Sequence, residues 1–351
     1  MMKLGRFIVD THVHSQRHAA GGKLKGSKDY SDLGKAIMQV DAYDNSPRLL
    51  YDMECYGVDM CIIEPAFGMS NELNVELVNK HPDKFVANCL AGTKRTRDRV
   101  LSGEIEWNIK FVLEELDELL KTGDYVGIGE GIPAGKMITV KDGFPIYNDE
   151  RALMHEMMQI CDLARSYDVP IRYHCGTTVG YEGAYHSHPW TFNPLWANDL
   201  AVTFPQIPII MEHGGIEAYW GEQMFAGCLH VVASHKNVYL ETGRYWTELY
   251  YKCLEDPNVG PSRLLWGTDW GASLPVQTNL GAKYLPKSYT MQTKRDGIPR
   301  HQPDTFGWSL KQLDKLDIGQ DDLNLILGGN AVRVYNLRTP GGLTRMFSFV
   351  D

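Results

Sequence analysis

Two histidines near the start of the sequence, His12 and His14, are separated by one residue and follow an apolar run in the segment FIVDTHVH. Residues i and i+2 of an extended chain point to the same side, so both imidazoles can bind one metal ion. Two polar histidines on a loop would give the same pattern. The pair therefore indicates a metal site when further ligands converge on it.

Three later residues that can bind metal ions or move protons occupy similar positions in the chain. His174, His213 and Asp269 each end an apolar run, and a glycine follows each within two residues. If these runs are strands of one barrel, their ends meet at the same mouth. Imidazoles with one carboxylate are typical ligands of Zn²⁺, and Mn²⁺ or Fe²⁺ is compatible with them. We therefore predict one divalent metal ion at this mouth.

The elements that must position these residues alternate along the chain. Eight short apolar or β-branched runs are separated by helical patterns, which predicts a parallel sheet built from βα units. Several runs are apolar throughout their middle, as expected for strands covered on both faces. We predict a (β/α)₈ TIM barrel whose strands lie at 6–10, 59–64, 84–90, 125–130, 170–174, 208–213, 237–242 and 263–269.

The helices between the strands have recognisable ends. Ser46 as N-cap and Pro47 in the first turn predict a helix that Gly57 stops. A second helix is predicted at 108–121 and a C-terminal one at 321–336. A third, capped by Asn148 or Asp149, is predicted to bury the stripe Leu153, Met157, Ile160 and Ala164.

Long loops follow the first, fifth and eighth predicted strands, at 11–43, 175–195 and 270–314. Loops of this length in a compact domain are usually functional or disordered, and in a βα barrel this end carries the active site. We expect these loops to determine substrate specificity. Because no Pro/Gly/Ser-rich linker separates two cores, we predict a single domain over residues 1–351.

Composition indicates a soluble protein. The chain has 351 residues, 43% of them hydrophobic and 23% charged, with a net charge of −9, so we predict neither nucleic acid nor a membrane as a partner. Its seven cysteines are scattered without C-x-x-C spacing, which is typical of reduced thiols. The first residues lack the apolar core of a signal peptide. These features predict a cytoplasmic protein.

Five segments carry a family resemblance: VDTHVH at 9–14, NVELVNKHPDKFVA at 74–87, MEHGG at 211–215, LLWGTDWG at 264–271 and ILGGNAVRVYNL at 326–337. They resemble the amidohydrolase superfamily, in particular the branch that includes aminocarboxymuconate-semialdehyde decarboxylase. The resemblance implies a (β/α)₈ barrel with a mononuclear metal site, and a homodimer. It further implies that His213 is a catalytic histidine outside the ligand set His12, His14, His174 and Asp269.

The expected chemistry follows from the charge of the ion. A divalent metal lowers the pKa of bound water toward ~7 and polarises a substrate oxygen. Asp269 can then both bind the metal and accept a proton from that water. His213 can polarise the substrate carbonyl or pass a proton to the leaving group. A histidine that only satisfies loop backbone groups is the alternative for His213.

Further candidates lie at other strand ends. Glu130 ends the fourth predicted strand, where many binuclear amidohydrolases carry a bridging lysine or glutamate; it is a candidate second-metal ligand, proton acceptor or backbone-bonded carboxylate. Arg172 and Arg244 are candidates to bind a substrate carboxylate, with internal salt bridges as the alternative. In the loop after the fifth strand, His188 and Trp190 are candidates to line the pocket, or ordinary exposed loop residues.

The residues after His213 bear on the reaction. The semialdehyde decarboxylase has an arginine shortly after its HGG, contributed across a dimer to the substrate carboxylate, whereas HGGIEAYWGEQMFAGC contains none. Other decarboxylases of the branch replace H-x-H by a glutamate pattern. We therefore predict a metal-dependent hydrolase of a small cyclic or aromatic ester, lactone or amide. The alternatives are non-oxidative decarboxylation of a small aromatic or muconate-like acid, and a catalytically silent metal-stabilised barrel.

Overall fold

Eight parallel strands form one sheet whose order follows the chain. The computed structural model describes residues 4–18, 42–65, 69–90, 94–132, 150–175, 193–216, 221–242, 245–271 and 305–339. The strands of the sheet are β1 (Val9–Val13), β4 (Met60–Ile63), β5 (Phe85–Cys89), β6 (Tyr125–Ile132), β7 (Ile171–His174), β8 (Ile209–Glu212), β9 (Val238–Glu241) and β10 (Leu264–Leu265). A separate antiparallel hairpin consists of β2 (Gln16–His18) and β3 (Ala42–Asp44).

The first and last strands meet, so the sheet is a nearly closed barrel. The backbone N–H of Thr11 donates to the carbonyl of Trp266 at 3.0 Å. The backbone N–H of His14 donates to the carbonyl of Trp270 at 2.7 Å, and Val13 forms a parallel bridge with Trp270. The predicted (β/α)₈ TIM barrel is therefore confirmed, and each predicted strand overlaps an observed one.

Helices follow the strands and pack against the sheet. In chain order they are α1 (Ser46–Tyr56), α2 (Asn71–Lys80), α3 (Lys94–Leu101), α4 (Ile109–Lys121), α5 (Glu150–Tyr167), α6 (Trp196–Thr203), α7 (Gly221–Ser234), α8 (Thr247–Leu254), α9 (Thr305–Asp314), α10 (Gln320–Asn324) and α11 (Asn330–Val334). Among the residues described, no helix combines the length and the apolar character needed to cross a membrane.

The predicted helix ends agree with the structure to within one or two residues. Gly57 ends α1 in the left-handed conformation, with φ 70°, and the Asn108 side chain caps α4. The predicted N-cap of α1 is wrong by one residue. Asn45 occupies the cap position and Ser46 is the first helical residue, whose N–H donates to the Asp44 carboxylate at 2.7 Å.

Alternate strand residues belong to two apolar clusters. One cluster lies between the strands and the helices and includes the predicted stripe of α5, which is fully buried. The other cluster brings together residues from strands on opposite sides of the barrel, and it therefore fills the barrel interior. It includes Ile62, Ile210 and Tyr239. Two residues further along each of these strands, the same face carries Glu64, Glu212 and Glu241.

The structure differs from the predicted pattern at both ends of the chain. β1 begins later than expected, so that His12 lies within the strand. The predicted C-terminal helix is divided by a π-helical turn, Leu325–Gly329. A Cβ at Gly328 would lie 2.1 Å from the Phe7 carbonyl oxygen, so glycine is required for this close approach. Most of the three predicted loops lies outside the described residues. In the described parts, β2 and most of β3 fall within the first predicted loop, and the end of the third is helical, because α9 occupies Thr305–Asp314.

Candidate active site

Three side chains from opposite ends of the chain meet at the carboxyl end of the barrel. The Nε2 atoms of His12 and His14 are 3.3 Å apart. Asp269 Oδ1 lies 3.3 Å from His14 Nε2 and 3.7 Å from His12 Nε2. All three residues are buried. The structure thus brings together three of the four predicted metal ligands.

Hydrogen bonds on the far side of each imidazole direct the Nε2 atoms toward each other. His12 donates from Nδ1 to Glu241 Oε2 at 2.8 Å, and His14 donates from Nδ1 to the Glu64 carbonyl oxygen at 3.0 Å. Carbonyl and carboxylate oxygens only accept, so the neutral imidazoles carry their lone pairs on Nε2. Two lone pairs at this distance repel each other unless a cation lies between them. The donor set therefore fits a metal ion.

The spacing of the donor atoms fits the same conclusion. Zinc binds imidazole and carboxylate in a tetrahedron with bonds of ~2.0–2.2 Å, which places neighbouring ligand atoms about 3.3–3.6 Å apart. The separations among the His12, His14 and Asp269 ligand atoms are 3.3–3.7 Å. One ion can therefore contact all three side chains with little rearrangement.

His174 and His213 lie beside these three residues, at the ends of β7 and β8. The ring centroid of His213 is 5.1 Å from that of His12 and 4.8 Å from that of His174. His213 also forms a group of close ligand atoms with His12 and Glu241. Among the described residues, no such group includes His174. Metal binding by His174 and the catalytic role of His213 remain predictions.

The turns that follow two of these strands have unusual backbone conformations. His213 and Asp269 adopt the left-handed region, with φ 57° and 55°. Such conformations are uncommon for residues with a side chain and are concentrated at functional sites. Gly271 also has a positive φ, and a Cβ there would lie 2.1 Å from the His14 carbonyl oxygen. The glycine after the final strand end is therefore needed to bring Asp269 beside β1.

Asp10 joins the backbone of β1 to the segment that follows β10. Its Oδ1 accepts the N–H groups of His12 at 2.9 Å and Thr268 at 3.0 Å, and its Oδ2 accepts the Thr268 hydroxyl. Burial raises the pKa of Asp10 to about 7, although these hydrogen bonds oppose the shift. Because Thr268 precedes Asp269, Asp10 fixes the position of one ligand-bearing segment relative to the other.

One arginine and three glutamates lie together inside the barrel. Arg172, Glu64, Glu212 and Glu241 all have fully buried side chains. Arg172 Nε lies 2.6 Å from Glu212 Oε1 and 3.2 Å from Glu64 Oε1. Arg172 Nη1 donates to the Thr11 carbonyl oxygen at 2.6 Å. These contacts place the guanidinium in salt bridges within the barrel interior, which favours the internal salt bridge over substrate binding for Arg172.

These charges shift the pKa values of the groups that meet here. Burial lowers the pKa of His12, but the Glu241 and Glu64 carboxylates outweigh it and hold that pKa well above its usual value. Burial raises the pKa of the Glu241 carboxyl, but the charge and hydrogen bond of His12 hold it well below its usual range. A cation on or beside the His12 imidazole is therefore stabilised by this site, whether it is a proton or a metal ion.

Glu241 is expected to strengthen metal binding through His12. Glu241→Gln removes the charge facing His12 Nδ1, and the new amide can present an N–H to that nitrogen. We expect zinc affinity to fall by ~10–100-fold, measured by competition with a chelating indicator. Glu255→Gln, at the exposed end of α8, is the matched control. Equal affinities in the two variants would contradict this role.

Four other predicted site residues cannot be placed. Arg244, His188 and Trp190 lie outside the described residues. The backbone of Glu130 belongs to β6, but its side chain is not among those that the structure describes. Their roles remain predictions.

Glu64, Glu212 and Glu241 are parts of the site that were not predicted from the sequence. A signal for them is present, because each ends an apolar run: CIIE, IIME and VYLE. A carboxylate in that position lies at the same end of the barrel as the histidines.

Comparisons with known proteins agree with this architecture. The family model described as Amidohydrolase matches residues 9–337. No curated protein matches the sequence.

Several solved structures share the fold at low sequence identity. An amidohydrolase from Burkholderia multivorans with bound zinc is 14% identical, with a TM-score of 0.53 and coverage of 95% of this chain and 100% of that chain. The 5-carboxyvanillate decarboxylase from Novosphingobium aromaticivorans, with bound manganese and 3-methoxy-4-hydroxy-5-nitrobenzoic acid, is 14% identical, with a TM-score of 0.52 and coverage of 95% and 98%. A probable 2-pyrone-4,6-dicarboxylic acid hydrolase from Acinetobacter baumannii with bound citric acid is 12% identical, with a TM-score of 0.50 and coverage of 94% and 99%.

Proposed function

The chain belongs to the amidohydrolase family, and on that premise we propose that it is a metal-dependent hydrolase of a small cyclic or aromatic ester, lactone or amide. The observation that carries the proposal is the convergence of His12 Nε2, His14 Nε2 and Asp269 Oδ1 within 3.3–3.7 Å. Hydroxide production at neutral pH is a common use of such a site. The structural match to a probable 2-pyrone-4,6-dicarboxylic acid hydrolase supports a small cyclic substrate.

We assign the ion to His12, His14, His174 and Asp269, with Zn²⁺ as the first choice and Mn²⁺ or Fe²⁺ as alternatives. When bound, it would supply Lewis-acid activation of water and of the substrate oxygen. Asp269, which has a second carboxylate oxygen, accepts the proton of the attacking water. The ring centroid of His213 lies 5.1 Å from that of His12 and 4.8 Å from that of His174. From this position His213 donates a proton to the leaving group.

Decarboxylation of a small aromatic or muconate-like acid is the second candidate. The match to 5-carboxyvanillate decarboxylase favours keeping it. Decarboxylation requires a cation that binds the substrate carboxylate. The segment that begins at His213, HGGIEAYWGEQMFAGC, contains no arginine. Arg172 is buried in the barrel interior, which argues against it as a substitute, and Arg244 and Arg17 are the other candidates. We therefore rank hydrolysis first.

Oxygen labelling separates the two reactions. In ¹⁸O-water, a single turnover of the hydrolase is expected to place one label in the product acid, because water adds to the substrate. The assay uses a panel of lactones and aryl esters, including 2-pyrone-4,6-dicarboxylate, and hydroxybenzoates such as 5-carboxyvanillate. Mass spectrometry of the product and measurement of carbon dioxide give the result. Stoichiometric carbon dioxide with an unlabelled organic product would establish decarboxylation instead.

The remaining properties are proposed from composition and family. The net charge of −9 supports a small-molecule substrate rather than nucleic acid or a membrane. All seven cysteines are free thiols, six of them buried, which supports a reducing compartment such as the cytoplasm. We further propose a single domain over residues 1–351 and a homodimer.

A further inference from the structure

A second group of close ligand atoms lies next to the proposed metal centre. It consists of His12, Glu64 and Glu212, whose ligand atoms lie within 4.8 Å of one another. All three side chains are fully buried. Glu64 Oε1 is 3.4 Å from His12 Nε2, so this group adjoins the first. The atom of His12 nearest Glu64 is Nε2, which also faces the first ion, so the Glu64 and Glu212 carboxylates are the donors that a second divalent cation would use.

A protein cation already contacts this group. Arg172 Nε lies 2.6 Å from Glu212 Oε1 and 3.2 Å from Glu64 Oε1, which are its two acidic members. Nη2 of the same guanidinium lies 3.5 Å from Glu241 Oε2. We propose that Arg172 occupies this second cation position and thereby limits the centre to one metal ion. The inference rests on the proposed metal centre and is independent of the proposed reaction.

The guanidinium is held where it lies by neutral acceptors as well. Arg172 Nη1 donates to the Thr11 carbonyl oxygen at 2.6 Å and to the Tyr335 hydroxyl at 3.1 Å. Thr11 is part of β1, and Tyr335 follows α11, so contacts from two distant parts of the chain fix the group. Displacing it would leave a buried charge without these partners, which is costly.

Electrostatic repulsion excludes a second ion while Arg172 remains. An ion held by both Glu64 and Glu212 would fall close to Arg172 Nε, which already contacts one oxygen of each carboxylate. Charges of the same sign that close repel strongly in a site from which water is excluded. The first ion would be held at His12 Nε2 together with His14 and Asp269. One guanidinium and one metal ion therefore share the negative charge of the buried carboxylates.

The test counts bound Mn²⁺, a metal that accepts both carboxylate and imidazole ligands. Metal-free full-length protein is dialysed to equilibrium against Mn²⁺, and bound metal per chain is measured by elemental analysis. We expect one Mn²⁺ in the wild type and two in Arg172→Gln. The control is Arg263→Gln, which removes a half-buried arginine that stacks on Tyr239; one Mn²⁺ is expected there.

A charge-matched double variant locates the second ion. Arg172→Gln with Glu212→Gln removes one cation and one of the ligands of the second position, so one Mn²⁺ is expected. Two Mn²⁺ in this variant would mean that the second ion binds elsewhere, which overturns the proposal. A folded Arg172→Gln protein that binds one Mn²⁺ would overturn it as well.

Folding of the variants is followed by thermal denaturation with and without Mn²⁺. The proposal expects Arg172→Gln to gain more thermal stability from Mn²⁺ than the wild type gains. Failure of Arg172→Gln to fold at any Mn²⁺ concentration, when the double variant folds, would show that a metal ion cannot replace the guanidinium. Two Mn²⁺ in the wild-type protein would overturn the proposal whatever the variants do. One Mn²⁺ without hydrolytic turnover overturns only the proposed reaction.

Discussion

His14→Ala is expected to lose tightly bound metal and to reduce turnover by roughly 10³-fold or more. The substitution removes one of the two Nε2 atoms that face each other at 3.3 Å. A Lewis-acid metal stabilises the transition state by several kcal/mol, and each 1.4 kcal/mol corresponds to about a tenfold change in rate. His14 is preferable to His12 for this test, because Nδ1 of His14 contacts a backbone carbonyl oxygen, whereas Nδ1 of His12 contacts the buried Glu241 carboxylate.

Metal content is measured by elemental analysis after purification without chelators, and circular dichroism establishes that the variant is folded. The matched control is His230→Ala, an exposed histidine of α7, which should retain metal and turnover. A wild-type protein that is purified without metal and stays active in excess chelator would contradict the proposed metal centre.

His213→Asn should reduce turnover by ~10²-fold or more while leaving metal content nearly unchanged. Losing a general acid or base typically has an effect of this size. The ring centroid of His213 lies 5.1 Å from that of His12 and 4.8 Å from that of His174, close enough to reach a substrate held at the metal. Asparagine keeps a polar side chain of similar length and tolerates the left-handed backbone found at this residue.

Metal content decides how the His213→Asn result is interpreted. The ligand atoms of His213, His12 and Glu241 lie within 4.8 Å of one another, so His213 is also placed to bind a metal ion itself. His235→Asn serves as the control, because His235 bonds Asn198 and lies before β9, at the opposite end of that strand from Glu241. Loss of the ion from His213→Asn alone would assign this histidine to metal binding.

The sequence was sufficient to predict the barrel and the convergence of His12, His14 and Asp269. Each of these residues follows an apolar run, and a closed parallel barrel leaves only one end where such positions can meet. Residues two apart in a strand point to the same face, which explains why His12 and His14 can bind the same metal ion.

The role of Arg172 could not be predicted in the same way. It lies two residues before His174 and shares its face of β7, but spacing alone does not distinguish a side chain that lines a pocket from one that is enclosed in the barrel. That difference depends on Glu64 and Glu212, which come from other strands far away in the sequence. Substrate specificity is harder still, because the loops that would contact substrate have no regular pattern of apolar residues.

The contact between Asp10 and Thr268 has a consequence for how the protein is made. These residues are 258 positions apart, so this part of the site forms only after nearly the whole barrel chain has been synthesised. Contacts of such long range are slow to form, because a large loop must close before they contribute any stability. A metal ion that binds only the closed barrel would favour the folded state by mass action. Metal supply during synthesis would then affect the yield of folded protein as well as its activity.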